Sequence, residues 1–203
     1  MYKMFRQRVN EAIGMEVSDT DFNILTRVVV AKVVRKKHLL LCEGLLCKYI
    51  YYVVKGALRK YSIDQRGIEH IFDFALEGAW IMEATSVIKN APSRYYIESM
   101  EETELLLIST DELKSLSEYS VFFARLSQAI FYDGYFAAEN RMQLVVSYSA
   151  IEKVLYFMEN KREFIQRVPQ NMIASYLGIT PETFSRTRKQ LMKERADLFS
   201  SIP

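Results

Sequence analysis

Cysteine, histidine and proline are scarce in this chain of 203 residues, and each scarcity removes a class of function. Cys42 and Cys47 are the only cysteines, too few for a disulfide framework or for a four-thiolate iron–sulfur cluster within one chain. They read as buried or incidental thiols. His38 and His70 are the only histidines and stand in no metal-ligand spacing. They read as structural or exposed side chains, with a haem ligand as the alternative for His70, and no metal site is expected. No run of about 18 uncharged apolar residues occurs, so no membrane-spanning helix is expected. Residues Met1 to Asn10 carry bases without the apolar block of a signal peptide, and a cytoplasmic location is the expectation. An enzyme would need a His and carboxylate metal set or a nucleophile constellation, and neither is visible.

What is abundant is apolar surface. Half of the residues are hydrophobic, enough for a sizeable core in one large or two modest domains, and two are favoured here. The first thirty or so residues read as helical or mixed, with Phe22, Leu25, Val28 and Val29 on one apolar face. From about residue 39 to 110 the pattern turns to short runs of β-branched and aromatic residues: 39–42, 49–55, 58–63, 68–74, 95–100 and 104–109. Gly56, the 64–67 segment, Gly78 and the 90–93 segment punctuate them, which predicts a β-sandwich, barrel or roll rather than a parallel βαβ sheet. After Asp111 the pattern is helical, with no proline before Pro169. Phe123, Leu126, Ile130, Ala137 and Leu144 approximate a heptad seam, read as a helix that pairs two subunits. A further amphipathic helix is expected over 151–160, and no Gly- or Ser-rich linker, repeat or low-complexity tract occurs.

Residues 169 to 191 carry the strongest signal. Two short helices meeting at a sharp angle need a small residue at their crossing and a residue tolerant of unusual backbone angles between them. Ala174 and Gly178 meet those needs, and Ile173, Leu177, Ile179 and Phe184 fall where helical periodicity gathers a shared miniature core. Thr180 can cap the second helix, with Pro181 at its first position. Thr187 departs from the pattern, standing where another apolar residue is expected.

Glu182, Ser185, Arg186 and Lys189 recur at spacings of three and four and share the outward face, which would enter a major groove. Arg186 can pair bidentately with guanine and Glu182 can accept from cytosine. Thr180, Ser185, Arg188 and Lys189 suit phosphates, and Gln170 and Thr183 complete the predicted DNA-binding set. From Arg167 to Arg195 there are six Lys or Arg against two Glu, whereas residues 1–150 hold eighteen bases and nineteen acids. The net charge of +2 is too small for general adhesion to nucleic acid, so affinity needs specific contacts and two copies of the head.

A roll, a long helix and a C-terminal helix-turn-helix in that order resemble the cyclic-AMP receptor protein and fumarate–nitrate regulator (Crp/Fnr) superfamily of bacterial transcription factors. The resemblance covers nearly the whole chain. It is carried by the 173–186 segment, where Glu182 and Arg186 match base-contacting positions, and by the 52–56 segment followed by Gly67 and Gly78. It implies an α+β fold with three parts. These are a cyclic-nucleotide-binding-like double-stranded β-helix, or jelly roll, over 1–117; a dimerisation helix over 118–147; and a winged-helix-like DNA-binding domain over 148–203. The wing is expected to be short or absent, with about ten residues of this sequence following the reading helix.

The implied partners are duplex DNA with a pseudo-palindromic operator, a second copy of the chain, and RNA polymerase. The family's phosphate cassette uses a Gly-Glu pair and then an Arg-Ser pair. Glu83 matches the Glu, but Met82 replaces the Gly, Ser93 and Arg94 stand in reversed order, and Tyr95 and Tyr96 add bulk. Glu83, Ser93 and Arg94 are thus the candidate effector residues, and cyclic AMP is disfavoured as the effector. The expected function is a sequence-specific, homodimeric transcription regulator, not an enzyme. The alternative is a sensor or adaptor that acts through protein contact.

Overall fold

The computed structural model describes residues 2–200, with side chains placed through Lys193. Alternating apolar residues between tight turns produce two four-stranded antiparallel sheets, in the orders β1-β8-β3-β6 and β2-β7-β4-β5. The strands are β1 (Val29–Val34), β2 (Leu39–Leu41), β3 (Tyr49–Lys55), β4 (Leu58–Ile63), β5 (Glu69–Ala75), β6 (Trp80–Ile81), β7 (Tyr96–Ser99) and β8 (Thr103–Ser109). β8 pairs with β1 on one side, Val29 opposite Ile108, and with β3 on the other, Ile50 also opposite Ile108. Its run Leu105–Ile108 is buried on both faces, which is why it reads as continuous rather than alternating apolar sequence. Gly56 turns the chain from β3 into β4 at φ +105°, where a Cβ would lie 2.6 Å from Thr103 Oγ1 and 2.8 Å from the Glu102 carbonyl.

The chain divides into two compact units, Met1–Ile63 with Phe72–Phe136, and Asp64–Ile71 with Ala137–Pro203. In the first, α1 (Tyr2–Ile13) and α2 (Asp19–Val28) pack on the roll, with the Phe5 ring 4.9 Å from Tyr52 and 5.8 Å from Trp80. Ser18 caps α2 by accepting from Asp21 N. Val29 is the first residue of β1 rather than part of the helical face expected for it. The short α3 (Ala84–Lys89) and α4 (Thr110–Tyr119) precede α5 (Val121–Ser147).

The seam expected to pair two subunits requires correction. Phe123, Leu126 and Ile130 are buried in the roll's own core with Ile50, Val53, Leu58 and Ile97, so they are unavailable to a second subunit. Leu144 is buried as well, and only Ala137 of the five is exposed. The exposed apolar side chains of α5 are Val121, Tyr132, Tyr135, Phe136, Met142 and Val146. Five of them fall two residues out of phase with the expected seam, which is roughly 200° around a helix and therefore the opposite face.

The second unit gathers the end of α5, α6 (Ala150–Asn160), α7 (Arg162–Arg167), α8 (Gln170–Leu177) and α9 (Pro181–Ser200). A capping box starts α6: Ser149 Oγ accepts from Glu152 N, and the Glu152 carboxylate accepts from Ser149 N. The core here is Val154, Phe157, Val168, Ile173, Ala174, Leu177, Phe184 and Leu191. Among the described residues no strand follows α9. Pro203, the end of the expected reading domain, and the side chains of Glu194 and Arg195 lie outside the described residues.

Candidate nucleic-acid interface

The two helices of the predicted reading motif form where the sequence places their caps. α8 ends at Gly178, which takes φ +66° and donates its N–H to the Ala174 and Ser175 carbonyls. A Cβ there would lie 3.3 Å from a Val145 methyl. α9 begins at Pro181, and Thr180 Oγ1 accepts from Thr183 N at 3.2 Å. Ala174, Ile173, Leu177 and Phe184 have no measurable exposure, so a close crossing and a dry core fix the angle between the helices. Thr187, out of pattern in the sequence, occupies a core position at 5% exposure.

Burial of Phe184, Thr187 and Leu191 turns the other face of α9 outward. Glu182, Arg186 and Lys189 are exposed at spacings of four and three, while Thr183, Ser185 and Arg188 are half-buried beside them. Gln170 and Thr180 are exposed at the N-terminal ends of α8 and α9. The Glu182 carboxyl is held below its usual range by its own backbone N–H and then by the Thr180 hydroxyl, so it stays an acceptor. The outward face therefore presents a fork of guanidinium donors, one carboxylate acceptor and an ammonium, a set suited to base edges and phosphates.

Sequence reading missed the groups that brace α8 from behind. Ser175 Oγ accepts from Ile71 N at 3.0 Å and donates to the Glu69 carbonyl at 3.4 Å. Arg141 donates to the carbonyls of Ile71 (2.8 Å) and Tyr176 (3.0 Å), with its guanidinium 5.0 Å from the centre of the Tyr176 ring. No local pattern links residues 104 positions apart, as Ile71 and Ser175 are. The turn leading into this segment is tied by Asp64, which accepts from the N–H groups of Arg66 and Ile68 and lies 3.1 Å from His70 Nε2. Lys153 is also buried, its Nζ donating to the Val145 carbonyl at 2.9 Å.

In the roll, the effector candidates are spent on local structure. Glu83 is buried and caps α3, accepting from Thr85 N at 3.0 Å and from Ser86 N at 2.6 Å. Ser93 is buried, its hydroxyl accepting from Tyr95 N and donating to the Tyr95 carbonyl. Arg94 is exposed and forms no ion pair with Glu83 among the described residues. Met82 packs into the core at the position where the cassette has glycine. Cys47 is buried, and burial pushes its thiol up from the usual value.

Comparison with known proteins gives matches to the roll and to most of the chain. The family described as the cyclic nucleotide-binding domain matches residues 31–120. The regulatory protein HlyX of Actinobacillus pleuropneumoniae is 25% identical over 182 residues, spanning 84% of this chain and 74% of HlyX. The structure of FixK2 from Bradyrhizobium japonicum superposes with a TM-score of 0.70 at 26% identity, covering 82% of this chain and 86% of FixK2. The c-di-GMP responsive global regulator CLP of Xanthomonas campestris shares the fold at a TM-score of 0.68 and 14% identity, over 87% of this chain and 93% of CLP. Among the described residues no helix is long and apolar enough to cross a membrane.

Proposed function

We propose that this chain, whose roll matches the cyclic nucleotide-binding domain and which is similar over most of its length to HlyX and FixK2, is a regulator of the Crp/Fnr type: homodimeric, sequence-specific in binding DNA, and acting in the cytoplasm. One observation carries this reading: α9 buries Phe184 and Thr187 while Glu182, Arg186 and Lys189 stand exposed on its other face. A helix so mounted can enter a major groove with Arg186 and Glu182 toward base edges. Gln170, Thr180, Thr183, Ser185, Arg188 and Lys189 then serve the backbone and the groove edge, phosphate contacts setting register.

A single small head rarely gives enough specificity, and pairing supplies a second half-site. The exposed stripe of α5, Tyr132, Tyr135, Met142 and Val146, is the surface for that pairing, at spacings of three, seven and four that keep the side chains on one face, as a two-helix seam requires. RNA polymerase is a further partner, in keeping with the family.

The roll senses an effector other than cyclic AMP. Glu83 already satisfies the first-turn N–H groups of α3, and Ser93 is closed on its own loop, which leaves neither free for a cyclic phosphate. CLP, named as responsive to c-di-GMP, supports the idea that this fold takes other ligands.

Anisotropy of a labelled duplex carrying a selected site tests the reading. Wild-type protein is expected to bind with a steep salt dependence, and Arg186→Ala to bind more weakly with relaxed preference at one base per half-site. Equal binding of every sequence by the wild type would contradict it.

A further inference from the structure

A cavity of about 510 Å³ opens between α3, α4 and the first half of α5, next to the segment that connects β2 and β3. Its size falls within the ~300–1,000 Å³ typical of small-molecule sites. None of Glu83, Ser93 or Arg94 lines it, so it is distinct from the place where the family resemblance puts an effector. The apolar part is formed by buried Ile50 and Leu113 with half-buried Val87 and Phe131.

The polar part is asymmetric in charge. Lys48 and Lys114 both line the cavity, both are exposed, and neither forms an ion pair among the described residues. One carboxylate, Asp111, lies on the same wall and leaves a net positive lining. Deeper, Ser86 is 3% exposed, and its Oγ accepts from Cys47 N at 2.9 Å. Its hydroxyl hydrogen has no acceptor among the described residues. A hydroxyl buried this far with its donor unspent favours an occupant that can accept a hydrogen bond.

We propose that this cavity binds a small organic anion consisting of an apolar body and one carboxylate. The body is taken by Ile50, Val87, Leu113 and Phe131, and the carboxylate by the ammonium groups of Lys48 and Lys114 with Ser86 as hydroxyl donor. Such an occupant touches α5 through Ser127 and Phe131, the helix that carries the exposed aromatic stripe. Binding here does not depend on whether α9 reads DNA, and is measured without DNA, so either reading can fail while the other stands.

The test is calorimetric titration of the full chain with decanoate and with the neutral decanol. Decanoate is expected to saturate one site per chain. The double substitution Lys48→Gln with Lys114→Gln is expected to weaken decanoate at least tenfold and to change decanol less than twofold. Ser127→Phe, which fills the cavity, is expected to abolish both while thermal unfolding stays cooperative. If that variant fails to fold, the lysine pair decides, since both side chains are on the surface. No saturable heat from decanoate with the wild type would overturn the proposal, as would an unchanged affinity in the lysine variant.

Discussion

The Glu83 carboxylate sits 2.6 Å from the backbone nitrogen of Ser86, where it closes the first turn of α3 from its own chain. An anion that arrives at this turn meets a like charge and finds its donors taken. Cyclic AMP is therefore expected to leave the melting temperature of the protein unchanged at millimolar concentration. Glu83→Ala should lower stability by about 1 kcal/mol, the usual value of a lost helix cap, seen as a drop of roughly 2–4 °C for a chain of this size. A stabilising shift with cyclic AMP in the wild type would refute this account of the roll.

Arg186 and Lys189 should behave differently although both are exposed basic groups on α9. Arg186→Ala is expected to cost about 1–3 kcal/mol at the selected operator and to relax one base position. Lys189→Ala should weaken all duplexes alike and reduce the slope of log K against log salt by about one unit per subunit. Binding isotherms at several salt concentrations separate the two.

The angle between α8 and α9 depends on Gly178, at φ +66°. Gly178→Ala places a side chain in a left-handed conformation and 3.3 Å from Val145, at an expected cost of about 1–2 kcal/mol in chemical denaturation. Thr180→Ala should cost about 1 kcal/mol through loss of the cap on Thr183 N.

The two faces of α5 make opposite predictions. Phe123→Ala removes a ring with 0% exposure from the roll core and should cost about 3–5 kcal/mol. Tyr135→Glu alters a side chain with 61% exposure and should leave the fold intact while driving the subunits apart in analytical ultracentrifugation. Dissociation by Phe123→Ala without loss of stability would reverse the assignment of the faces.

Asp64 gives the acid response of the β4–β5 turn. The Ile68 N–H, and after it His70 and Arg66, hold its carboxyl well below the usual carboxylate range. In the unfolded chain the group takes up a proton more readily, so its contribution is complete above the ordinary aspartate value. It disappears as the pH falls through the lower folded value. Asp64→Asn should flatten the acid limb of the stability curve below about pH 4, as followed by thermal melts.

The parts of this fold that were legible in the sequence have local causes. β3 and β4 were expected from 49–55 and 58–63 and run over those residues, because Gly56 marks the turn and apolar runs flank it. The caps at Gly178 and Thr180 were visible for the same reason. β1 is hidden in the sequence because Val29 continues the helical face of Phe22, Leu25 and Val28, and only pairing with β8 makes Val29–Val34 a strand. α3 is six residues long and too short to show a period. α5 carries two seams on opposite faces, and sequence spacing cannot say which one the roll covers. The bracing of Ser175 by Ile71 depends on tertiary proximity alone.

Selection of bound duplexes from a random pool with purified protein, at one fixed salt concentration, tests the central claim most directly. The account predicts a two-fold-symmetric motif with half-sites about 10 base pairs apart, and loss of one base preference per half-site in Arg186→Ala. Enrichment of no motif by the wild type, or an identical motif for wild type and Arg186→Ala, would contradict it.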